Sequence, residues 1–200
     1  TSPTISRTLY AVGSNEVNIG TPIPGVEIKI VGSDGCEIMD GSPGELHVRG
    51  PNVMLGYFRQ PELTEAVIDK DGYLNTGDVV SVNSKQEMVV QGRTKELIIR
   101  SGFNVYPPEI EAALNTHPAV LNSAVVGRSI EGNEEIVAFV EPVPGCHIEI
   151  DTLFALLDEQ LARYKKPQKI IVMSQLPVAP NGKIRKNDLK KYAEALPSFA

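Results

Sequence analysis

The chain has 200 residues, room for one generous domain or two small ones with a sizeable buried core. It is 42% hydrophobic and 22% charged with a net charge of −6, which excludes a disordered or low-complexity chain. No apolar run reaches membrane-spanning length, and the opening TSPTISRTLYAVG lacks the charged-then-apolar layout of a signal peptide. Cys36 and Cys146 have no CxxC spacing, so free thiols in a reducing, cytoplasmic setting are expected. His47, His117 and His147 have no metal-ligand spacing, and no structural metal is expected.

In chain order, the first ninety or so residues read as strands and turns. VEIKIV (26–31) alternates with period two, ELHVRG (45–50) comes next, and SDG, DGSPG and DKDG punctuate them. TGD (76–78) reads locally as a turn whose Asp bonds its own loop. GRTKELIIR (92–100) reads as an edge strand protected by charge, with ELIIR (96–100) its strand-like part. From there the character changes. A Gly-containing loop leads to PPEIEAALNTHP, where Pro107 and Pro108 suit a helix start and Glu109 and Glu111 complement its dipole. Ile110, Ala113 and Leu114 form one stripe, and Pro118 closes the helix.

Two apolar strands come after it, AVLNSAVVG and EEIVAFVEP. A helix is then expected with Asp151 as its cap and Leu153, Leu157 and Leu161 on one face with Leu156. KIIVM reads as a strand and NDLKKYAEAL as a closing helix capped by Asn187. Together these predict an α+β protein, with a β-rich subdomain over 1–92 and a small α+β domain over 93–200.

Charge is unevenly placed. Residues 161–200 carry nine Lys/Arg against Asp188 and Glu194. Such a basic end suits an anionic small ligand or a solvated face. Its aromatics Tyr164, Tyr192 and Phe199 are too far apart for a base-stacking platform, so no nucleic-acid partner is expected. Within it, Asn181-Gly182 is a strong tight-turn signal, because both residues tolerate positive φ, and the turn presents Lys183.

Three stretches share one resemblance. GYFRQPELTEAVIDKDGYLNTGD (56–78), GRTKELIIRSGFNVYPPEIE (92–111) and LPVAPNGKIRK (176–186) resemble, in order and spacing, motifs of AMP-forming acyl-CoA synthetases and other adenylate-forming enzymes. The resemblance runs from residue 1 to about 193, and it implies a C-terminal fragment: the last, distorted barrel-like subdomain of a large domain, then a small mobile domain. TSPT (1–4) looks like the segment just after the family's acidic ATP/Mg²⁺ motif, which places the Mg²⁺ ligand and most of the acid pocket upstream of Thr1.

The resemblance implies a role for each motif. Lys183 is the catalytic lysine meeting carboxylate and α-phosphate, with Arg185 and Lys186 adding positive potential. Asp78 accepts from the ribose hydroxyls of ATP or AMP, Arg93 lies near ribose or phosphate, and Lys95 is the hinge. Ser101, Gly102 and Phe103 belong to the loop that meets CoA in the thioester step; Phe103 either shapes a tunnel wall or packs on its own domain. Two departures stand out: Asn75 where Arg or His is frequent, and Lys186 where Arg is common. The implied partners are a carboxylic acid (fatty or aryl), ATP and CoA. The fragment alone is expected to be inactive, and a carrier-protein-loading adenylation domain or an inert nucleotide- or CoA-binding module are the alternatives.

Overall fold

The computed structural model describes residues 4–8 and 18–197. The start of TSPT and the Phe199 at the tail lie outside them. The chain divides into two compact units, Thr1–Lys95 and Glu96–Ala200, and the architecture is mixed α+β.

Among the described residues of the first unit, six strands form one sheet: β1 (Ser6–Arg7), β2 (Asn18–Pro22), β3 (Glu27–Val31), β4 (Gly44–Arg49), β5 (Leu74–Val82) and β6 (Met88–Arg93). A short helix, α1 (Pro61–Glu65), lies between β4 and β5 in sequence. The spatial order β1-β2-β6-β5-β4-β3 is antiparallel throughout, a curled half-barrel. One face is packed, so β4 alternates: Gly44, Leu46 and Val48 are buried, and Glu45, His47 and Arg49 are half-exposed. Leu46 and Val48 join Ile30, Leu74, Val80 and Met88 in the core.

The second unit opens with a hairpin, β7 (Ile98–Arg100) and β8 (Phe103–Val105), followed by helix α2 (Pro107–Leu114). Strands β9 (Val120–Ile130) and β10 (Asn133–Pro142) pair antiparallel, and helix α3 (Ile150–Gln160) leads to β11 (Lys169–Val172), which adds parallel to β10. Helix α4 (Lys186–Glu194) closes the unit.

This sheet is covered on both faces, and the sequence shows why its strands read as unbroken apolar runs. In β10, Ile136, Ala138 and Val140 face a core shared with α2, α3 and the hairpin. Val137 and Phe139, between them, face Leu176, Leu189 and Ala193 on the α4 side. Phe139 is fully buried and meets Tyr192 edge-on, with ring centroids 5.8 Å apart.

Four local expectations are corrected. GRTKELIIR is not one edge strand: Gly92-Arg93 ends β6 inside the first sheet, Thr94–Glu96 forms a single 3-10 turn, and only Ile98–Arg100 is strand. TGD is not a free turn, because it lies within β5. Neither Asp151 nor Asn187 caps its helix. Glu149 and Arg185 hold the cap positions without side-chain cap bonds, so Asp151 and Asn187 fall inside the first turns. The starts are fixed otherwise: Thr152 Oγ1 donates to the Glu149 carbonyl at 2.7 Å, and Arg185 pairs with Asp188 at 3.0 Å.

Candidate functional site

In the first unit the TGD segment forms a bulge. β4 and β5 pair in register at Glu45–Val79 and again at His47–Asn75, so Leu46 alone faces Thr76, Gly77 and Asp78. Extra residues on one strand bend it and re-aim its side chains. The bulge is stitched by side chains: Thr76 Oγ1 donates to the Leu46 carbonyl at 2.9 Å, and the Gly77 amide donates to Asn75 Oδ1 at 2.8 Å. Gly77 has φ +71°, a conformation that favours glycine. Asn75, one of the two departures from the family pattern, builds this bulge; its Nδ2 also donates to Glu45 at 2.9 Å.

The bulge sets Asp78 opposite Arg93 on β6, whose Nε donates to Asp78 Oδ1 at 2.8 Å. Asp78 is one-third exposed and Arg93 nearly two-thirds. The pair is thus a solvent-facing carboxylate with one oxygen held by a guanidinium. The bond from Arg93 uses Oδ1 and leaves the other oxygen, Oδ2, available to hydroxyl donors. Next to Arg93, Thr94 Oγ1 donates to Glu45, fixing the start of the 3-10 turn, and Lys95 is exposed in the middle of that turn.

In the second unit the loop at 101–102 is a two-residue hairpin turn. Arg100 pairs with Phe103, and both Ser101 (φ +50°) and Gly102 (φ +81°) are left-handed. That is the turn whose twist matches antiparallel strands. Asn133 Oδ1 accepts from the Ser101 amide at 2.7 Å, which anchors the turn to the start of β10. On the side where a side chain would project, Gly102 has no atom of another residue beyond its chain neighbours within 4 Å, which leaves room for a ligand to approach the backbone. Phe103 stacks on Tyr164 at 4.6 Å between centroids, yet stays about half exposed, at 53%. Arg100 supports the stack from below by donating to the carbonyls of Tyr164 and Lys166 at 3.1 and 2.6 Å.

Lys183 sits on the Asn181-Gly182 turn. Ala179 and Lys183 close it with a 2.8 Å backbone bond, Gly182 donates to Ala179 at 2.8 Å, and Val178 bridges Ile184. Gly182 has φ +80°, and Asn181 Oδ1 accepts from the Lys183 amide at 3.2 Å. From there side chains alternate: Lys183 out, Ile184 toward the α4-side core, Arg185 out, Lys186 in. The Lys183 ammonium has no ion-pair partner among the described residues. It borders a groove of about 660 Å³ lined also by Val178, Gly182, Asn122, Glu96 and Lys186.

Arg185 and Lys186 do not act as free background charge. Arg185 is paired with Asp188, and the Lys186 ammonium lies 2.6 Å from Glu96 Oε2 and 2.8 Å from Glu111 Oε1. Burial by itself would push the Lys186 pKa down. The two carboxylates outweigh it and hold the lysine above its ordinary value. Glu111 Oε1 also accepts from the Val125 amide at 2.8 Å, so the same carboxylate ties α2 to β9.

Sequence reasoning missed Tyr164, Asn133 and the pairing of Glu96 and Glu111 with Lys186. Tyr164 left a signal, an aromatic residue within the basic run ARYKKPQK. Asn133 and the two glutamates left none, since their partners are distant in sequence. Among the described residues, no cluster of three His, Cys, Asp or Glu side chains is placed to hold a metal, and Cys36 and Cys146 are free and exposed. No helix among them is long and apolar enough to cross a membrane.

The chain as a whole has relatives among known proteins. Residues 1–58 match the AMP-binding enzyme family and residues 109–183 its AMP-binding enzyme C-terminal domain. The chain belongs to this family of AMP-binding, adenylate-forming enzymes. It is 39% identical to an indoleacetate–CoA ligase of Aromatoleum aromaticum, covering 86% of this chain and 34% of the relative. It is 36% identical to a long-chain-fatty-acid–CoA ligase of Escherichia coli O157:H7, covering 96% of this chain and 34% of that enzyme. The ATP-bound structure of MatB from Rhodopseudomonas palustris superposes with a TM-score of 0.81 at 35% identity, over 90% of this chain and 36% of MatB. The chain therefore spans about a third of the length of the relatives it matches.

Proposed function

We propose that this chain serves as the C-terminal third of an ATP-dependent acid–CoA ligase, which activates a carboxylic acid as acyl-AMP and passes the acyl group to CoA. The observation that carries the reading is the Lys183 ammonium: Arg185 and Lys186 beside it are paired, and Lys183 faces the groove with no ion-pair partner among the described residues. Two anions must meet when a carboxylate attacks the α-phosphorus of ATP, so the barrier is largely electrostatic. A compact cation with three donors, held on a rigid turn, stabilises the charge developing there.

In this reading Asp78 accepts from the ribose hydroxyls through the oxygen that Arg93 leaves open, and Arg93 keeps that carboxylate oriented. Carboxylate attack releases pyrophosphate and leaves acyl-AMP. Rotation about Lys95 then withdraws Lys183 and brings the Ser101–Phe103 turn to the adenylate, where the CoA sulfur attacks the acyl carbon and AMP departs. Gly102 gives the thiol arm room, and the half-exposed ring of Phe103, braced on Tyr164, forms wall. Mg²⁺ would travel with the ATP phosphates, on ligands beyond this chain. We assign 1–92 and 93–200 as the fixed and moving parts, and we expect the chain by itself to adenylate nothing.

The relatives' names range from an indole acid to long-chain fatty acids, which supports a carboxylic acid without choosing its class. The test is AMP release by the complete protein with ATP, Mg²⁺ and a panel of acids, with and without CoA. Sustained CoA-dependent turnover on one acid class supports the ligase and names its substrate. Adenylate that CoA does not discharge assigns the chain to carrier-protein loading instead, and silence across the panel removes the ligase reading.

A further inference from the structure

We infer that Lys186 is a positioning residue: with Glu96 and Glu111 it forms an ionic latch that fixes the Lys183 turn to the segment just after Lys95. The inference deepens the proposed ligase reading, but its geometry stands apart from it. The Lys183 turn is a protruding loop with three restraints. Its backbone is paired at Val178–Ile184, Ala179–Lys183 and Pro177–Arg185. Ile184 packs into the α4-side core. Beyond it, Lys186 begins α4 and points inward to the two carboxylates at 2.6 and 2.8 Å.

Each carboxylate belongs to a different structural element. Glu96 ends the 3-10 turn that contains Lys95, and Glu111 lies on α2 with a second bond to β9. The latch therefore joins the base of the lysine turn to the first residue of the second unit and to that unit's sheet. Torsion changes at Lys95 would then carry Lys183 as part of one rigid body, without the turn trailing behind. The pairing is partly shielded: the Lys186 side chain is 23% exposed and that of Glu111 17%. Opposite charges in such a setting hold position better than at an open surface. The guanidinium of Arg185, one residue away, pairs with Asp188 within its own helix turn.

The test compares amide hydrogen exchange in the wild-type chain with Lys186→Met, Glu111→Gln and Lys186→Arg. Lys186→Met is expected to speed exchange at Ala179, Gly182 and Arg185 about tenfold, while the amides of the β9–β10 ladder keep their protection. Glu111→Gln should do the same more weakly, and Lys186→Arg should restore the wild-type pattern. Equal acceleration in the turn and in β9–β10 would mean a general stabilising role and overturn the latch, as would no change in the turn. If Lys186→Met does not fold, the comparison of Glu111→Gln with Lys186→Arg decides in the same way.

In the complete protein, Lys186→Met should lower kcat for adenylate formation about tenfold, leave KM for ATP unchanged and spare thioester formation from supplied acyl-AMP. A wild-type protein that adenylates no acid would remove the ligase reading while the exchange result still judged the latch. Exchange changes without the kcat loss would overturn the coupling to Lys183.

Discussion

Replacing Lys183 with alanine separates chemistry from folding, because the structure gives this side chain nothing else to do. It is exposed, unpaired among the described residues, and outside every buried cluster. Surface substitutions of that kind shift stability by no more than ~0.5 kcal/mol. The turn itself is held by Asn181, Gly182 and backbone bonds that alanine leaves in place. If Lys183 meets charge developing at the α-phosphate, its loss should cost ~2.7–4 kcal/mol of transition-state stabilisation, a fall of roughly 100- to 1,000-fold in kcat. The assay is single-turnover acyl-adenylate formation by the complete protein, run beside thioester formation from supplied acyl-AMP, with thermal unfolding as the control. The first rate should collapse, with the second and the melting curve little changed. An equal fall in both half-reactions would refute the assigned role, and so would a destabilisation well above ~1 kcal/mol.

Asp78→Asn should raise KM for ATP about tenfold or more, since a charged acceptor contributes ~1.5–3 kcal/mol to a hydrogen bond. Its stability cost should stay below ~1 kcal/mol, because the ion pair with Arg93 is solvent-exposed; an unchanged KM would remove Asp78 from the nucleotide site. Lys95→Pro fixes φ at the 3-10 turn and should spare adenylate formation while slowing the thioester step. An unchanged overall rate would end the hinge assignment. Phe139→Ala should destabilise the second unit by ~3–5 kcal/mol in denaturant unfolding, because the ring is fully buried between the sheet and α4. A loss under ~1 kcal/mol would mean that α4 is not part of that unit's cooperative core.

The sequence by itself determined those features whose cause lies within a few residues. Alternation in VEIKIV announced a strand, and the apolar runs AVLNSAVVG and EEIVAFVEP announced two more. Asn181-Gly182 announced the turn beneath Lys183, and Pro107 the start of α2. Those signals survive in one dimension because side-chain periodicity and backbone φ preferences are local. Tertiary structure decided the rest. TGD reads as a turn until β4 is beside it; only the register against Leu46 makes it a bulge that turns Asp78 toward Arg93. Asp151 and Asn187 read as caps in the sequence, but Glu149 and Arg185 hold those positions, and contacts of Thr152 and of Arg185 with Asp188 mark where the helices begin. Phe103 stacks on Tyr164 because the fold brings the hairpin against the segment before β11. Lys186 shows the limit most sharply: as a sequence it is one more cation in a basic tail, yet it binds Glu96, ninety residues away. An ion pair depends on distance through space, and the fold alone brings its two halves together.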